Sequence, residues 1–324
     1  MKIGYFENRI EVNYNDNERN IETIFALDED NNFIENFTFF CDLFLSKDEF
    51  NQKIKNCKTI YLENGFLFYS FRYEISFAHY MTQTVPKLYE YINSYSNYKL
   101  LIPKNKYNNL CKDILKLLNI NNENIYILED ETIYIINDYI TSNKYHAPPD
   151  NFTHNHLWIY KKIREPLNIL PNNNPYKKIY LKRDGITNNN FGNSETGIKR
   201  QIINENELMN YLIKMNFEII HLGDKFISEK KEFLENSKII ITPLGANCLN
   251  LIFTNAPKHI IMLSNHNNFG YEYYNSLCEE LNNEKINSKF IKNDTVYNND
   301  EANQWNGAFY VNIDQINDYL KSIE

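Results

Sequence analysis

Short apolar runs separated by Asn-rich polar stretches recur along the chain, and their lengths alternate between those of strands and those of helices. Runs of four or five β-branched and aromatic residues read as strands. In the first half these are Lys58–Leu62, Phe66–Tyr69 after a turn at Asn64-Gly65, Lys99–Ile102, Ile125–Leu128 and Thr132–Ile136. Between them, apolar residues fall three or four positions apart. Met81, Val85, Leu88 and Tyr89 suit a helix that Pro86 must bend or bound. Leu110, Ile114, Leu117 and Leu118 line one face of a helix over Tyr107–Leu118. The first 70 residues read as short strands and one helix, capped by Ser46 with Glu49 completing a capping box.

The second half repeats the alternation. Trp158–Ile163 reads as a connecting helix, and the Asn- and Pro-rich Asn168–Tyr176 as a linker. Ile179 and Leu181 then mark a strand. Leu208, Tyr211, Leu212 and Met215 line a helix for which Asn204 is the expected N-cap, Glu207 the N3 residue, and Ile203 with Leu208 the hydrophobic staple. Strands over Phe217–His221, Lys238–Ile241 and His259–Leu263 follow, with a helix from Ser228 between the first two. Tyr271–Leu281 reads as a helix, Ser288–Ile291 and Phe309–Val311 as short strands, and Asp314–Ile323 as a closing helix that sequence leaves free to return to the first domain. Strands alternating with helices predict an α/β class. We expect two Rossmann-like domains, residues 1–168 and 169–324.

The most informative stretch is Lys238–Phe253. Ile239, Ile240 and Ile241 form a β-branched run without polar alternation, as in a strand buried on both faces of a parallel sheet. The strand stops at Pro243, Gly245 gives the backbone freedom to turn, and Leu249, Ile252 and Phe253 recur at helical spacing. Such a turn presents free N–H groups and the positive end of a helix at the carboxyl edge of the sheet, where a phosphate can sit. The same spacing is also ordinary α/β architecture. Lys182, Arg183 and Asp184 end the strand at Ile179, which places basic side chains at that edge too.

Composition narrows the partners. A net charge of -8 argues against a general nucleic-acid surface. No apolar run approaches a membrane span, and the N-terminal residues lack the apolar core of a secretory signal, so a cytoplasmic location or a cytosolic viral factory is expected. Cys41, Cys57, Cys111, Cys248 and Cys278 are widely spaced and odd in number, as expected of reduced thiols. The spacing of His146, His154 and His156 matches no strong zinc pattern, so these are expected as cleft or loop residues and no metal is expected.

Four sets of residues, in this order, resemble one family. His79 and Pro86 lie in the segment Phe77–Leu88; Arg183 ends a strand; Arg200, Asn204 and Glu205 precede a helix; and Gly245, Ala246 and Asn250 form a Gly-Ala-x-x-x-Asn segment. Together they resemble glycosyltransferase family 61, which includes plant xylosyl- and arabinosyltransferases and animal enzymes that add N-acetylglucosamine to protein. The resemblance implies a GT-B arrangement with an interdomain cleft. It implies a nucleotide-sugar donor, UDP-linked, bound by the C-terminal domain, and a glycan or glycoprotein acceptor against the N-terminal one. Transfer would invert the anomeric carbon, with no further cofactor. Self-association is compatible with it.

On this reading Arg183 and the Gly245–Ala246 turn receive the phosphates. Arg200 adds positive charge, Glu205 orients an arginine, and Asn250 holds the turn or the nucleotide. His266 stands on the donor side, and His79 is the base, with Glu74, His146 and Asp184 as competitors. Two positions depart from the family. Gln83 stands where an acid is usual and cannot accept a proton. Met262 occupies the last strand, where many relatives carry an acid within or just beyond it. A catalytically weak protein that only binds a glycan or nucleotide sugar is therefore the alternative, and a structural α/β module a third.

Overall fold

The computed structural model describes residues 2–12, 17–27, 52, 54–68, 77, 80–104, 108–141, 153–170, 174–183, 202–223, 225–255, 257–265, 271–293, 295–297 and 308–323. The chain divides into two compact units, Met1–Pro148 and Pro149–Glu324. The helix expected at Ser46 lies outside the described residues.

The first unit carries a six-stranded mixed sheet. Its strands are β1 (Lys2–Val12), β2 (Asn17–Leu27), β3 (Lys58–Leu67), β4 (Lys99–Pro103), β5 (Ile125–Leu128) and β6 (Thr132–Thr141), in the spatial order β2-β1-β6-β3-β4-β5. β6, β3, β4 and β5 run parallel, and the β1–β2 hairpin adds antiparallel along β6. β1 and β2 have eleven residues each, longer than the short strands expected there. Leu67, Leu101, Leu128, Tyr134 and Ile136 form the core, and helices α1 (Lys87–Ser94) and α2 (Asn109–Leu117) complete the parallel units. Asn108 caps α2 by accepting from the Cys111 N–H at 2.9 Å.

The expected turn at Asn64-Gly65 does not form, because β3 continues through it. Asn64 Oδ1 accepts from the Lys99 N–H at 3.2 Å, and a Cβ on Gly65 would stand 2.6 Å from Leu101 Cδ1. This glycine serves close packing rather than a turn. Pro86 does mark a boundary. A π-helical turn, Tyr80–Thr84, closes with Val85 N–H donating to the Tyr80 carbonyl at 3.0 Å, and α1 starts directly after Pro86.

The second unit is built on a five-stranded, wholly parallel sheet. Its elements are α3 (His154–Arg164), β7 (Lys177–Lys182), α4 (Glu205–Lys214), β8 (Glu218–His221), α5 (Ile227–Leu234), β9 (Ser237–Pro243), β10 (His259–Ser264), α6 (Tyr271–Asn282), β11 (Asn287–Lys292), a small ribbon of β12 (Thr295–Tyr297) with β13 (Ala308–Phe309), and α7 (Ile313–Ile323). The sheet order is β8-β7-β9-β10-β11. Tyr180, Ile239, Ile241, Ile261 and Leu263 on one face pack with Leu208 and Leu212 of α4 and with Ile316 and Leu320 of α7. The alternate positions Ile179, Leu181, Ile240, Ile260 and Met262 are equally buried, so both faces are covered, which is why these strands show no polar alternation.

The closing helix α7 packs on the second sheet, within the second unit. Two expectations are corrected here. α3 starts at His154, four residues earlier than expected, and His154 and His156 are helical rather than loop residues. His156 is fully buried and its Nδ1 lies 2.6 Å from Thr153 Oγ1 in a capping box. Asn204 sits at the N-cap position of α4 without capping it. Its amide reaches forward instead, donating to the Val311 carbonyl at 3.0 Å and accepting from the Val311 N–H at 2.8 Å.

Candidate functional site

Numbered from β7 onward, the second sheet has the order 2-1-3-4-5, with its switch between β7 and β9. From β7 the chain passes to β8 on one side of this pair, and from β9 to β10 on the other. The carboxyl ends of these two strands therefore border a crevice, the place where open α/β sheets bind ligands. Arg183 follows β7 directly, and Gly245 follows β9 by two residues.

Gly245 has φ 136° and ψ -145°, a conformation that is essentially restricted to glycine. Leu244 N–H donates to the Leu263 carbonyl at 2.8 Å, which fixes the turn to β10. The helix that follows, Ala246–Phe253, is a 3-10 helix rather than the α-helix the spacing suggests. It starts with Cys248 N–H donating to the Gly245 carbonyl at 2.9 Å, so the N–H groups of Ala246 and Asn247 precede its ladder.

Asn247 ties the turn to β7, donating from Nδ2 to the Leu181 carbonyl at 3.4 Å. Asn250 is buried and faces inward: its Nδ2 donates to the Asn247 carbonyl at 3.1 Å, and its Oδ1 accepts from Lys230 Nζ at 3.3 Å. Its amide is thus occupied in bracing the turn.

Arg183 is half-buried, and burial pushes its pKa below the usual arginine value. Among the described residues no carboxylate is placed against its guanidinium. Its neighbour Cys248 is a thiol that burial pushes up to about 12, so it is neutral at ordinary pH and lends the guanidinium no negative charge. An arginine partly withdrawn from water, with no carboxylate against it among the described residues, is suited to an anionic ligand.

Glu205 is the first residue of α4, and its Oε1 accepts from the Tyr180 hydroxyl at 2.9 Å. Among the described residues the partner of this acid is a buried phenol; Arg200, an arginine it was expected to orient, lies outside them. Met262 lies in the middle of β10, in register with Thr242 and Phe290, and is fully buried. Its side chain belongs to the packing layer. Gln83 is buried within the π-helical turn of the first unit.

Arg183, Glu205, Gly245, Ala246 and Asn250 thus belong to one unit and one edge of one sheet. His79, Arg200 and His266 lie outside the described residues, as do Glu74, His146 and Asp184. Sequence reading missed Tyr180, Asn247 and Lys230. Tyr180 is an unremarked aromatic in a strand, and Lys230, buried in α5, cannot be told by sequence from its half-exposed neighbour Lys231. Among the described residues no group of three His, Cys, Asp or Glu could hold a metal ion, and no helix is long and apolar enough to cross a membrane.

Comparison with curated proteins gives no match. Comparison with protein families does: the model of Glycosyltransferase 61 matches residues 77–261, which contain the π-helical turn, Arg183, Glu205 and the Gly245 turn. That match spans more than half of the chain, and the chain therefore belongs to glycosyltransferase family 61.

Proposed function

We propose that this glycosyltransferase binds a nucleotide-sugar donor, UDP-linked, at the β7–β9 crevice, and transfers the sugar with inversion to a hydroxyl of a glycan or glycoprotein. The two units act as the halves of a GT-B arrangement, the first on the acceptor side, in a cytoplasmic setting. The observation that carries this reading is Arg183 beside a glycine turn at the switch point of a parallel sheet, with no carboxylate against it among the described residues.

Inversion asks for an in-line hydroxyl, a base on its side and positive charge on the leaving diphosphate. Arg183 and the Ala246 and Asn247 N–H groups take the diphosphate, Arg200 adds charge, and His266 contributes to donor binding. His79 takes the acceptor proton, since a neutral imidazole accepts one near physiological pH.

Calorimetry with a panel of UDP- and GDP-sugars, paired with transfer assays on R183A and H79A, tests the assignment. R183A should weaken donor binding by about 10- to 100-fold, the effect of losing charge-assisted hydrogen bonds. H79A should lower turnover by about 10²–10⁴ while donor affinity holds. Wild-type affinity in R183A would remove that arginine from the site. A protein that binds a donor without turnover is the second reading, favoured by Gln83: an amide fixed in the buried π-helical turn cannot serve as a base.

A further inference from the structure

The Tyr180 hydroxyl is the one polar atom of a side chain otherwise enclosed by the second core. Tyr180 is fully buried in mid-strand, in register with Ile219 of β8 and Ile241 of β9, and packs in the cluster that includes Leu208 and Leu212. Phenylalanine would fill the same volume without a polar group to satisfy. The hydroxyl reaches Glu205 Oε1 at 2.9 Å, and burial together with that carboxylate pushes the Tyr180 pKa upward, so it remains a donor at neutral pH.

Glu205 is held where a ligand could meet it. The parallel crossover β7-α4-β8 makes α4 begin at the carboxyl edge of the sheet, the edge of Arg183 and the Gly245 turn. The start of α4 is fixed by the paired Asn204–Val311 bonds and by Ile203 N–H donating to the Phe309 carbonyl at 2.9 Å. Tyr180 occupies one lone pair of one carboxylate oxygen, and a carboxylate has about four such sites. Glu205 is only half-buried. Its free sites accept hydrogen bonds and repel a second phosphate, so they select neutral hydroxyl groups adjoining the diphosphate. In a nucleotide-sugar donor such hydroxyls lie on the ribose and on the transferred sugar, and the two of the ribose are the ones that every such donor shares.

We propose that Tyr180 is a positioning residue that holds Glu205 at the crevice as the acceptor for the ribose hydroxyls of the donor. This rests on the donor-binding reading above. The experiment is calorimetry on the full chain with UDP and with 2′,3′-dideoxy-UDP, for wild type, Y180F, E205Q and the double variant, alongside thermal unfolding. Wild type should prefer UDP by about tenfold, as expected for hydrogen bonds to a charged acceptor. Y180F and E205Q should each lose most of that preference while keeping dideoxy-UDP affinity within about twofold, and Y180F should add little to E205Q. Equal weakening of both ligands by Y180F would mean a packing role only and would overturn the inference while leaving the donor reading intact. If Y180F is too unstable to assay, an undiminished UDP preference in E205Q overturns it equally. Failure of wild type to bind UDP at all would overturn both.

Discussion

Arg164 at the end of α3 donates from Nη1 to the carbonyl oxygen of Ile252 at 2.9 Å, joining that helix to the last turn of the 3-10 helix that Gly245 begins. Its Nη2 donates to Asn282 Oδ1 at 2.7 Å, and the residue is only 6% exposed. Both acceptors are neutral, and burial pushes the guanidinium pKa down to about 10. The charge is thus retained by hydrogen bonds and by the negative end of the short helix, not by a carboxylate among the described residues. The candidate site is braced from behind by this contact.

Replacing Arg164 by leucine should therefore destabilise the protein by about 3 kcal/mol, since two buried acceptors lose charged donors. Urea unfolding measures it. R164K, which keeps charge but loses the planar fork, should fall between wild type and R164L. If R164L is as stable as wild type, the buried charge costs as much as its hydrogen bonds return.

Alkaline pH should unfold the second unit through its buried thiols. Burial pushes Cys248 and Cys278 up to about 12 from an ordinary value near 9. Below pH 9 folded and unfolded chains both hold these protons. Above it the unfolded chain releases them while the folded thiols do not, so stability falls between about pH 9 and 12. Buried Tyr180 and Tyr160 and half-buried Tyr273, all raised, act in the same direction from about pH 10. Unfolding free energies taken from pH 7 to 11 should be flat and then decline, and C248A should shallow the decline. An unchanged slope in C248A would mean that this thiol ionises without unfolding the protein.

G65A tests the close approach inside the first sheet. The added methyl would meet Leu101 Cδ1 at 2.6 Å, and overpacking of this kind costs about 1–3 kcal/mol. The double variant G65A/L101A should be more stable than the sum of its single changes predicts, because Leu101 is what the methyl strikes. Simple additivity would show that the strand shifts to admit the methyl.

These residues also show where sequence suffices. Ile239, Ile240 and Ile241 announced a strand buried on both faces, and Gly245 its exit, because burial and backbone freedom leave compositional marks. Asn64-Gly65 carried the mark of a turn, yet β3 runs through it; the deciding neighbour, Leu101, is remote in sequence. Asn204 had the residue type of a cap and the neighbours of one. Its amide instead bonds the backbone of Val311, which lies between β13 and α7, more than a hundred positions later. Spacing of Leu249, Ile252 and Phe253 could not separate a 3-10 helix from an α-helix over eight residues, since both place those side chains inward. The Tyr180–Glu205 bond joins two elements, and neither residue signals it alone.

Gly245 is the position where fold and proposed chemistry are most tightly joined. At φ 136° and ψ -145° an alanine is strained by about 1–3 kcal/mol, or the turn must rearrange. Rearrangement would move the Ala246 and Asn247 N–H groups, because the Cys248 bond to the Gly245 carbonyl at 2.9 Å and the Leu244 bond to Leu263 at 2.8 Å set their direction. G245A should therefore lower the melting temperature by roughly 2–10 °C and weaken UDP binding by at least about tenfold. Calorimetry and thermal unfolding of the same preparation separate the two effects. A variant that melts lower but binds UDP normally would place the phosphate elsewhere on this edge, and one that melts and binds as wild type would show that the turn accepts a side chain.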